Sequence, residues 1–163
     1  MRRRTLVAAA SLVVVPAATT APADARPVHD RLERTIVRAI NLERVRSGLQ
    51  RLRGSGVLAR AAHRHSGALL RQGHLSHGLP DGSSFSVRMS RVSRAARIGE
   101  TLAWLPGAVT PRGPEVVRMW LRSPAHRAQL LEPSFRRVGV GGRRGWAAGD
   151  LATVVTAEFA TAR

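Results

Sequence analysis

Apolar side chains recur along the chain with two periods, one helical and one of strands. Between Val28 and Ser47 they fall at Leu32, Ile36, Ile40 and Val45 with charge elsewhere, which predicts an amphipathic helix stopped by Gly48. Leu49 to Leu52 reads as an extended connector. Ser55 suits the N-cap of a second helix, in which Leu58, Ala61, Ala62, His65 and Leu69 share one face and Gly73 ends the run. His74 to Ser84 is rich in Gly, Pro, Asp and Ser and reads as a loop. A short helix over Phe85 to Val92 and a strand over Ile98 to Trp104 follow, the latter broken by Pro106 and Gly107. Gly113-Pro114 opens a helix that buries Val116, Val117 and Trp120. Ser123-Pro124 starts a short helix with Ser123 as its cap. Val138 to Val140 and Leu151 to Phe159 predict two strands joined by a Gly-rich turn, with Gly139-Val140-Gly141 in turn geometry. Helices first and strands last imply an α+β domain in layers. Trp120, Phe135 and Phe159 are expected in its core, while Trp104 and Trp146 sit beside loop residues and could line a groove.

The first 25 residues read differently. Met1-Arg2-Arg3-Arg4, an apolar run from Thr5 to Val15 and small residues at Ala23 and Ala25 predict a secretory signal peptide, cleaved after Ala25. The apolar run is too short for a bilayer, which needs about 20 residues. No other stretch is apolar enough to cross one. Arg2-Arg3 leaves the twin-arginine route open beside the general one. Residues 26–163 then form a single domain, secreted or extracytoplasmic. The chain has no cysteine, so packing alone holds the fold and thiol chemistry is excluded.

Charge changes the picture next. The 163 residues carry 27 basic and 10 acidic side chains, a net +17, and every basic one is Arg. Without Arg2, Arg3, Arg4 and Asp24, 24 Arg face 9 acidic residues in the mature part, about +15. Such a domain attracts polyanions in a salt-dependent way. For an exported protein the partners in reach are anionic envelope polymers and lipid headgroups before nucleic acid. A monomer is expected. Arg88, Arg91, Arg94 and Arg97, spaced by three, would spread over half a helix circumference as a solvated basic face.

Several landmarks occur in a fixed order. They are Asn41-Leu42-Glu43-Arg44 with Gly48-Leu49, Ala62 with His65-Ser66, then His77. Gly99-Glu100-Thr101-Leu102-Ala103 follows, then Trp120 with Ser123-Pro124-Ala125-His126-Arg127 and Leu130-Leu131, and last Phe135 and Val138-Gly139-Val140-Gly141. The series resembles the CAP superfamily of cysteine-rich secretory proteins, antigen 5 and pathogenesis-related proteins, in its short bacterial form. The resemblance implies a three-layer α/β/α sandwich of the CAP (SCP-like) type over residues 26–163. It also implies a central cleft at the family's tetrad positions, here His77, Glu100, Ser123 and His126. Ser123 stands where the family has a second Glu, three residues after the tryptophan matched by Trp120. Thr101 and Gln129 replace two further Asn residues of the pattern.

On that resemblance, two imidazoles and a carboxylate form a candidate Zn²⁺ or other divalent-metal set, with His77 and His126 as the metal ligands. His126 would lie in the first turn of its helix, where the dipole favours neutral imidazole. His65 shares an apolar stripe and reads as a hydrogen-bonded core residue, and His74 as solvent-exposed. No H-E-x-x-H, G-x-S-x-G or P-loop pattern occurs, so no catalytic residue is assigned. The leading expectation is an exported binding or interaction module whose ligand is a lipid or an anionic polymer. The alternatives are a metal-dependent hydrolase of peptide or cell-wall bonds and a polyanion binder driven by Arg charge.

Overall fold

The computed structural model of the 163-residue chain describes residues 28–162. The expected signal peptide and its cleavage point lie outside the described residues. In chain order the elements are α1 (Val28–Arg46), β1 (Arg53–Gly54), α2 (Gly56–Gln72), α3 (Phe85–Ser90), β2 (Ile98–Pro106), α4 (Gly113–Arg122), α5 (Pro124–Leu130), β3 (Phe135–Ala147) and β4 (Asp150–Thr161). The sheet order is β1-β3-β4-β2, with β1 parallel to β3 and the other pairs antiparallel.

Three layers result. On one face of the sheet, Ile36 and Ile40 of α1 and Val116 and Trp120 of α4 pack with Val138, Val140, Val155 and Phe159. On the other face Leu58 and Leu69 of α2 meet Ala160, Leu102 and Val154. This is the α/β/α sandwich expected. Ser55 caps α2 by accepting from Leu58 N–H, and Gly73 closes it in the left-handed conformation. The Trp120 indole N–H donates to the Leu102 carbonyl at 2.8 Å, tying α4 to β2.

Four local expectations fail. Val45 is 47% exposed, because a repeat of four from Leu32, Ile36 and Ile40 continues to Arg44. Arg44 is fully buried and donates to the carbonyls of Gln50, Leu130, Glu132 and Phe135. Gly139 and Gly141 form no turn. They lie inside β3, where a Cβ would strike the backbone of α2 at Leu58, Ala59, Ala62 and His63. The turn between β3 and β4 is Ala148-Gly149, with φ of 52° and 82°, the two positive values a tight hairpin demands. Ser123 occupies the N-cap position of α5, yet its side chain makes no capping bond. Finally, α3 ends at Ser90, so the four spaced arginines never share a helix, and Arg88 is buried.

Candidate functional site

β2 is an edge strand, and on its α2-facing side it carries Glu100. The antiparallel register sets Glu158 of β4 directly opposite. Both carboxyls are buried, at 5% and 0% exposed. Two acids side by side in a dry layer repel, and a cation must separate them. Arg88 does so: α3 lies across this face, and the guanidinium contacts Glu100 Oε2 and donates to Glu158 Oε1 at 2.6 Å. Phe85, one turn earlier on α3, lies under the same guanidinium, 5.4 Å from its ring centroid.

One cation cannot neutralise two buried carboxylates. Burial and the charge of Glu100 push the Glu158 carboxyl up to about 8, against the pull of Arg88. Near neutral pH Glu158 therefore keeps its proton, and the trio is close to electrically balanced.

The loop after α2 brings in His77. Its Nδ1–H donates to Glu100 Oε1 at 2.7 Å, and its side chain stays 60% exposed. That hydrogen bond raises the His77 pKa above its ordinary value, with burial opposing. His65 of α2 works from beneath. Its Nε2 is 3.0 Å from the carbonyl of Ser76, which can only accept, so Nε2 carries the proton. His65 thereby anchors the residue before His77. Burial, first, lowers its pKa, and the imidazole stays neutral.

His126 is the third residue of α5. It shares with His77 and Glu100 a cavity of about 410 Å³, whose walls include Phe85, Ile98 and Gln129. Burial, and then the charge of His77, lower its pKa. Gly99 lets α5 approach, since a Cβ there would collide with Gln129 and Phe135. Ser123, the fourth tetrad position, does not line this cavity. His74 is exposed as expected, and Trp146 is 77% exposed at the far end of β3.

The candidate metal set meets a difficulty in the same geometry. Both oxygens of Glu100 are engaged, by His77 and by Arg88, so the carboxylate orients an imidazole and is not available as a ligand. Among the described residues no three His, Asp or Glu side chains are disposed to hold a metal ion. Three-ligand zinc does not fit these residues. Two members of the network escaped sequence reasoning. Glu158 had one signal, a lone charge in the buried run Val154 to Ala160. Arg88 had none.

A family model described as "CAP: Cysteine-rich secretory protein family" matches residues 37–159. The chain belongs to this family. Its CAP domain is 33% identical over 110 residues to YkwD of Bacillus subtilis (strain 168), covering 67% of this chain and 41% of that protein. Among solved structures it resembles an extracellular SCP-domain protein of Bacillus anthracis at 24% identity and a TM-score of 0.68, covering 83% of this chain and 42% of the other. An outer surface protein of Borrelia burgdorferi shares 20% identity at a TM-score of 0.65, over 80% of this chain and 92% of its own. The chain thus spans less than half the length of both Bacillus relatives. No helix among the described residues is long and apolar enough to cross a membrane.

Proposed function

We propose that this CAP domain is an exported binding module of the cell envelope or extracellular space. Its cleft at His77, Glu100 and His126 takes an anionic amphiphile, a lipid with a charged head. The observation that carries this reading is the engagement of both Glu100 oxygens. The one carboxylate lining the cavity is thereby held as a support for His77 and withheld from general-base work. What faces a ligand is a pair of imidazoles, with Phe85 and Ile98 as an apolar wall. His77, its pKa raised, offers a cationic N–H to an anionic head as pH falls. The hydrolase alternative needs a free carboxylate and a third metal ligand, and no observation favours it. Export would remove residues 1–25 and set the domain among anionic envelope components.

The test uses dihexanoyl phosphatidylglycerol below its micelle concentration, titrated calorimetrically at low salt. Binding should tighten as pH falls through the His77 range. His77→Ala should weaken it by roughly tenfold, the worth of one charge-assisted hydrogen bond. An unchanged affinity in His77→Ala would remove the cleft from the binding reaction.

A further inference from the structure

At the opposite edge of the sheet, β1 and the start of β3 build a second surface. Arg53 and Arg137 are register partners across the parallel β1–β3 pair. Arg51 and Arg136 flank them, and with Gln50 and Ala162 these four line a groove of about 660 Å³. Like charges paired across strands are ordinarily unfavourable. Here no carboxylate compensates them: among the described residues none of the four forms an ion pair. Glu132, next along the chain, is taken by Arg97 at 3.0 Å, and Glu43 by Arg46 at 2.7 Å. The field reaches inward as well. Arg44 has its pKa lowered by burial first and then by the charge of Arg136, with Glu132 pulling the other way.

We propose that this groove is a binding site for a phosphate chain, a ligand carrying several closely spaced phosphate groups. Three features select that chemistry. Four guanidiniums leave a monoanion heavily outnumbered, so the ligand must carry several charges. Each guanidinium offers parallel N–H pairs that match the oxygens of a phosphate. Two of them are already held: Arg136 donates to the carbonyls of Pro133 and Phe135 at 2.5 and 2.9 Å, and Arg137 to that of Thr161 at 3.1 Å. Fixed side chains lose less freedom on binding. The Arg137 Nε is itself buried, so that guanidinium meets a ligand through its Nη atoms. The site is independent of the cleft, which lies across the sheet at β2, and it localises what net charge alone would leave diffuse.

The probe is inorganic tripolyphosphate, titrated calorimetrically into the full chain at low salt. Arg51→Gln with Arg53→Gln should weaken binding at least tenfold. Arg64→Gln with Arg71→Gln removes the same charge from the exposed face of α2 and should change affinity less than threefold. Equal losses in the two pairs would overturn the proposal, because affinity would then follow net charge. Absence of binding to the wild type would overturn it too. A second arm sediments the protein with phosphatidylglycerol vesicles. Groove-dependent vesicle binding without tripolyphosphate binding would assign the surface to a membrane and also overturn the proposal. The cleft titration with His77→Ala reads a different ligand, so failure of one site leaves the other to stand or fall by itself.

Discussion

The two edges of the sheet handle the same residue type in opposite ways. At the β2 edge Arg88 lies in the interior, spent on Glu100 and Glu158, and its charge is invisible from outside. At the β1 edge Arg53 and Arg137 sit beside each other with no ion-pair partner among the described residues, Arg53 exposed and Arg137 half-buried. A buried guanidinium must be matched because desolvation costs several kcal/mol per ion. An exposed one can stay unmatched because water and salt screen it. The contrast means that one edge uses arginine to shape a cleft, and the other uses it as the binding surface.

The comparison breaks most readily at Arg88. Arg88→Met should cost about 3–5 kcal/mol, since it leaves two buried acids without their cation. Urea unfolding at pH 7 measures it, and adding Glu158→Gln to the same chain should recover part of the loss. A cost below about 1 kcal/mol would mean that the trio is a surface feature.

A smaller effect concerns the proton on Glu158. A carboxyl whose folded pKa is raised contributes stability below its unfolded value of 4.5, lost as pH climbs towards about 8. Relative to Glu158→Gln, which cannot titrate, the wild type should therefore lose Tm steadily over that interval, by roughly 5 °C or more. Parallel melting curves for the two proteins from pH 5 to pH 9 would show that Glu158 is ionised throughout.

The smallest effect belongs to the other edge. Arg51→Gln with Arg53→Gln, which should abolish most tripolyphosphate binding, should alter unfolding free energy by no more than about 0.5 kcal/mol. A loss of several kcal/mol would show that these arginines hold the fold together, contrary to their exposure.

How much of this was readable in advance varies with the range of the interaction. The helix faces of α2 and α4, the Ser55 cap and the break at Gly73 are set within a turn or two and were legible; the break expected at Pro106 was not, since β2 runs on through Pro106, paired with Ala152. Even there one charged residue disturbed the pattern. Arg44 continues the buried stripe of α1, because carbonyls of the α5–β3 connection wait for it some 90 residues later. His77, Glu100 and His126 were legible through family resemblance alone, since their separations carry no periodicity.

By itself the sequence determined the helix and strand periods, the absence of disulfides, the family and the large positive charge. Tertiary structure alone decided which arginine is spent and which is offered. The energy of a charge depends on burial and on partners distant in the chain, and a register such as Glu100 against Glu158 exists only once β2 and β4 have paired.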